Sequence, residues 1–224
     1  MDELEVLIDG DPAEAVALAK KITAEIAGDA DAWGWLADAH IANGDFESAL
    51  RALAEYVRRD PDWVEAYALR AGLLSELGRF DAASVELEVG RALDSASPRL
   101  VRAEAICCEL QGKLKEADGL YDRAAEMDPS EEAPVRFDRA KAKQAINGVL
   151  RQVAKSGLKL TAVVEEVPAR GAANKLLSRQ LELKDEKTLI VYLRNLEREL
   201  TSEAEIDDLA DLFEDRLAEL VEAN

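Results

Sequence analysis

The sequence predicts a mostly helical protein: a stack of helix–turn–helix hairpins to about residue 131, then a small α+β segment. Three observations carry this. Segments 34 residues apart resemble one another along the first half of the chain. Ala, Leu and Glu dominate and only 5% of residues are aromatic, a mixture that loses little side-chain freedom in a helix. Two short runs rich in β-branched residues occur, both after residue 157, which confines the strands to the C-terminal part.

The repeat is read position by position. Gly44, Gly78 and Gly112 fall in register, as do Ala37, Ala71 and Ala105, then Ala49, Ala83 and Ala117, then Asp60, Asp94 and Asp128. Phe46 and Phe80 align with Leu114, and Leu53 and Leu87 with Tyr121. The glycines stand where a first helix must end and turn, because glycine enters the left-handed region at little cost. The alanines let paired helices approach closely. Asp60-Pro61 and Asp128-Pro129 stop a second helix and start the next hairpin. Gly10-Asp11-Pro12-Ala13-Glu14-Ala15 aligns with Gly44–Ala49, so residues 1–29 read as a shortened hairpin capping the stack.

Trp33-x2-Leu36-Ala37-x2-His40, followed by Ala49-x3-Leu53 and Pro61, closely resembles the tetratricopeptide repeat, whose period is 34 residues. Ala37 stands for the usual glycine and His40 for the usual tyrosine. Arg70 and Glu104 replace the leucine in the later copies, and Ser95 the proline. The resemblance implies a right-handed α-solenoid with repeats at 30–63, 64–97 and 98–131, its first helices lining a groove for a peptide or helix. The groove residues expected on that basis include Asp31, Asp38 and Ile41, then Glu65, Ser75 and Glu76, then Arg99, Arg102, Ile106 and Glu109. Chaperone-binding members grip a chain-terminal carboxylate there with Lys, Asn and Arg. The acids and small residues of the first two repeats make that clamp unexpected here, and a partner with positive charge at one end and an acidic or apolar element near Arg99 and Arg102 fits better.

Beyond Pro134 the pattern changes. Residues 135–155 read as a helix, Leu158–Val164 as a strand, Asn174–Ser178 as a short helix and Thr188–Leu193 as a second strand. A final helix starts at Thr201, an N-cap candidate, with Ile206, Leu209, Leu212, Phe213, Leu217 and Leu220 on its apolar side. Val163-Val164-Glu165-Glu166-Val167-Pro168 and Ile190-Val191-Tyr192-Leu193-Arg194-Asn195-Leu196-Glu197-Arg198 resemble segments of minimal zincin-like metallopeptidase domains. The resemblance implies an α+β domain over 132–224. Its zinc motif would need two histidines one helical turn apart plus a glutamate. The corresponding helix reads Leu212-Phe213-Glu214-Asp215-Arg216-Leu217-Ala218-Glu219-Leu220, and no histidine follows His40. The expectation is a peptidase-like fold without catalytic residues, metal or cofactor.

The net charge of −19 is uneven: −15 over residues 1–130, +5 over 131–196 and −9 over 197–224. Such a surface repels phosphate backbones, so nucleic acid is not an expected partner. No apolar run is long enough to span a bilayer, and the acidic N-terminus is unlike a secretory leader, so a cytoplasmic protein is expected. Cys107 and Cys108 are adjacent, which argues for small buried side chains over a disulfide framework. His40 reads as a structural imidazole between helices. The sequence therefore points to a non-catalytic scaffold with a protein or peptide partner. A metal-dependent peptidase, or a regulator derived from one, and a homo-oligomeric structural protein are the alternatives.

Overall fold

The computed structural model describes residues 2–130, 133–134, 136–156, 158–167, 180–185, 187–197, 199–200 and 204–222. They form two compact units, Met1–Glu104 and Ala105–Asn224.

The first unit holds α1 (Asp2–Gly10), α2 (Pro12–Glu25), α3 (Ala30–Ala42), α4 (Phe46–Arg59), α5 (Val64–Glu76), α6 (Phe80–Leu93) and the start of α7 (Pro98–Leu110). Packing follows chain order: α1 on α2, α2 on α3, α3 on α4, α4 on α5 and α5 on α6. Ala37, Ala49, Ala71 and Ala83 have no exposed surface. A side chain that ends at Cβ leaves room for the neighbouring axis, and a leucine there would overpack the contact by about 1–3 kcal/mol. The turns repeat as closely. Gly44 and Gly78 have φ of 67° and 70°. Around each, the glycine N–H reaches back to Ile41 or Ser75 O at 2.8 or 2.9 Å, and the next N–H to His40 or Leu74 O at 2.8 Å. This ties off the carbonyls that α3 and α5 would otherwise leave open. Asp45 then caps α4 by accepting from Ser48 N at 3.1 Å. Tyr56 and Trp63 pack at 4.5 Å between ring centres, joining α4 to the entry of α5.

The second unit contains the rest of α7, α8 (Leu114–Met127), α9 (Arg139–Val153), β1 (Thr161–Glu165), β2 (Leu181–Leu183), β3 (Thr188–Tyr192), α10 (Leu193–Glu197) and α11 (Ile206–Glu222). Gly112, φ 79°, makes the same turn between α7 and α8. The sheet order is β1-β3-β2. β1 runs parallel to β3, with Thr161 opposite Thr188 and Glu165 opposite Tyr192; β2 runs antiparallel, with Leu181 opposite Val191. Ile146, Val149 and Leu150 of α9, Leu189 and Val191 of β3, and Leu209, Phe213 and Leu217 of α11 make one apolar core.

Several boundaries differ from expectation. The helix foreseen from 135 starts at Arg139, because the Asp138 carboxylate accepts from both Ala140 N and Lys141 N. Val135 itself lies outside the described residues. The first strand begins at Thr161, not Leu158: its ladder opens where Thr161 N meets Lys187 O at 2.8 Å, and among the described residues the pairing with β3 starts there. The second strand ends at Tyr192, and Leu193 opens α10. β2, only three residues long, is an addition to the expected elements. The Asn174–Ser178 helix and the Thr201 cap lie outside the described residues, and α11 is described from Ile206.

Candidate partner-binding face and the buried charge network

Asp31 and Asp38 lie seven residues apart on α3, two turns along one face, and both are exposed. Ile41, one turn beyond Asp38, is half-buried against the first unit's core. Glu65, the repeat-equivalent of Asp31, is half-buried on α5. None of these three carboxylates has an ion-pair partner among the described residues. Arg99 is exposed and Arg102 half-buried on α7.

Three other expected groove residues are buried. Ser75 has no exposed surface and donates to Ala71 O at 2.8 Å; it shares the packed side of α5 with Ala71, one turn earlier. Glu76 is buried beside it. Glu109 has no exposed surface either. Helical period assigns a residue to a face, but it does not say which face the next helix covers.

Glu109 belongs to the second unit, where Ile106 lies half-buried against the Ala105–Tyr121 cluster. The Glu109 carboxylate accepts from Tyr121 Oη at 2.7 Å, Arg136 Nη2 at 3.1 Å and Arg194 Nη1 at 3.2 Å. Arg194 also grips Asp118 with two bonds of 2.7 and 3.0 Å and reaches Glu166 through Nε at 3.3 Å. Arg139 holds Glu166 with bonds of 2.8 and 2.7 Å and donates to Glu197, which also accepts from Phe137 N at 2.9 Å. Three guanidiniums thus face four carboxylates. Burial disfavours a charged Arg194, but its bonds and charge contacts with Asp118 and Glu109 more than reverse this and hold its pKa above the usual arginine value. Burial likewise lifts Asp118, but Arg194 and Arg136 outweigh it and leave the carboxyl below its ordinary range. Burial prevails at Glu197 and raises it despite Arg139 and the Phe137 N–H. The Leu193–Glu197 segment singled out by the zincin resemblance is therefore used as a brace. Arg198 lies outside the described residues.

On α11, Phe213 and Leu217 enter the core while Glu214 and Glu219 face solvent, and Glu219 is held by Arg216 at 2.7 and 2.9 Å. Among the described residues no cluster of His, Cys, Asp and Glu is placed to hold a metal, and no helix is long and apolar enough to cross a membrane. Cys107 and Cys108 are buried and form no disulfide.

Residues 6–73 match the tetratricopeptide repeat family model. Among solved structures, TTC0263, a thermophilic TPR protein of Thermus thermophilus, is 24% identical over 56% of this chain and 71% of its own, with a TM-score of 0.50. MamA 41-end from Desulfovibrio magneticus RS-1 is 17% identical over 69% and 82%, with a TM-score of 0.48. No curated protein matches the chain significantly. The match at residues 6–73 and the likeness to TTC0263 show a solenoid-like fold of helical hairpins of the tetratricopeptide-repeat kind.

Proposed function

We propose that the protein is a non-catalytic scaffold that binds a basic peptide or helix on the first-helix side of its repeats. The reading rests on one observation: Asp31, Asp38 and Glu65 carry carboxylates without ion-pair partners among the described residues, and the half-buried Ile41 lies one turn beyond Asp38 on α3. Unpaired surface acids steer a cationic segment and orient it, while a half-buried aliphatic supplies contact area. In this reading the C-terminal segment is a zincin-like fold that has lost its histidines and serves as a structural companion to the repeats. The test is fluorescence anisotropy with a labelled lysine- and arginine-rich amphipathic peptide. The Asp31→Asn, Asp38→Asn double variant should bind about tenfold more weakly at low salt, and the difference should shrink as salt rises. Equal binding by both proteins, or none by either, would refute the assignment.

A further inference from the structure

A cleft of about 560 Å³ lies in the first unit, among α2, α3 and α4. That is within the range of small-ligand sites. It is distinct from the Asp31–Asp38 face, and neither of those acids lines it. It is lined by the buried Leu36, His40 and Ala52 and the half-buried Trp33, Ser48 and Glu55, with the exposed Lys20 and Arg51 at its rim.

The rim is cationic in a strongly acidic chain. Lys20 is exposed and has no ion-pair partner among the described residues. Arg51, also exposed, donates from Nη2 to Ser48 Oγ at 2.7 Å, Ser48 Oγ donates in turn to Asp45, and Arg51 has no ion-pair partner among the described residues. Glu55 is already answered by Arg58 and Arg59. Trp33 is fixed by its Nε1 bond to Ala27 O at 3.0 Å, with the Arg59 guanidinium 4.7 Å from its ring centre. His40 is 5% exposed, and its Nδ1 makes no hydrogen bond, Asp45 Oδ2 standing off at 3.7 Å.

We propose that this cleft binds an organic carboxylate, its charge taken by Lys20 and Arg51 and its apolar body laid against Trp33, Leu36 and Ala52. The apolar walls suit a ligand with a hydrocarbon body. Two cations, one already committed to Ser48, suit a single negative charge better than the double charge of a phosphate, which would also meet Glu55 and Asp45. The carboxylate comes either from a free small acid or from a peptide. The site stands apart from the basic-partner reading, and either can fail alone.

The experiment uses the full chain and 3-phenylpropanoate as probe, with the Trp33 indole N–H and the His40 ring followed by NMR. A saturable shift of both is expected, with little response to the neutral 3-phenylpropanamide. Affinity should fall about tenfold in Arg51→Gln and in Lys20→Gln, both at exposed positions that leave the fold intact, and stay unchanged in Asp38→Asn. Acetyl-Ala-Ala-Phe with a free C-terminus, compared with its amide, separates a peptide source from a small acid: tighter binding of the free-ended peptide than of 3-phenylpropanoate assigns the peptide, and the reverse assigns the small acid. His40 is held low by burial, opposed by Asp45 and reinforced by Lys20 and Arg51, so a bound carboxylate should raise its titration midpoint. Equal shifts from acid and amide, no saturable shift from either acid, or full affinity in both rim variants would overturn the proposal.

Discussion

Residues 1–104 and the charge-braced part of residues 105–222 hold together in opposite ways. In the first unit the helices approach on alanine, and stability is spread over apolar contacts among many side chains. In the second, a few long side chains carry the joints: Arg194 alone links α10 to Glu109, Asp118 and Glu166. Distributed apolar contacts degrade gradually when one is lost. A buried ion network does not, because removing one member strands the others without water.

The strongest way to break the comparison is Arg194→Met. It leaves Glu109 buried without one of the guanidiniums that reach it and should cost about 3–5 kcal/mol, read as a shift in the urea midpoint. A loss below about 1 kcal/mol would show that the network is no brace. Next comes Trp33→Ala in the first unit. Sequence position alone suggests a buried aromatic and a cost of about 3–5 kcal/mol. The ring is half-buried along the cleft, keeping one hydrogen bond and a cation–π contact, so about 2 kcal/mol is expected. A cost at the upper end of the buried-aromatic range would mean that the cleft closes over the ring.

The smallest effect sharpens the comparison through pH. Asp118 has a folded pKa below its ordinary value, so its contribution is present above the usual carboxylate range and is lost as pH falls through the folded value. Glu197 is raised and runs the other way, its contribution improving as pH falls. Asp118→Asn should therefore be less stable than the parent by about 1 kcal/mol at neutral pH, and the gap should close in acid. Urea midpoints measured from neutral pH down into the acid range would show it; a constant gap would mean that Asp118's charge does not matter.

These differences also explain what can be read from residues alone. Ala37 and Ala71, or Gly44 and Gly78, are legible because each acts on near neighbours and recurs every 34 residues. Asp31 and Asp38 share a face because two helical turns separate them, which period conveys; that both are exposed is read only from the structure. Glu109 escapes such reading, since the two arginines that reach it, Arg136 and Arg194, are 27 and 85 residues away and no periodicity announces such a meeting. β2 escapes it because a three-residue strand takes its identity from the pairing with β3 and carries no pattern of its own. The cleft escapes it because its lining comes from three helices, and the repeat pattern presents Trp33 and His40 only as packing residues.

The adjacent thiols of α7 give the molecule an internal clock. Cys107 and Cys108 are shut away from solvent, so a thiol-specific reagent reaches them only while α7 is transiently open. Where reclosing is faster than the chemistry, the labelling rate is set by the open fraction, and each tenfold slowing corresponds to about 1.4 kcal/mol of added local stability. The two sulfurs thus turn the opening of a single helix into something timed in the intact protein, without denaturant.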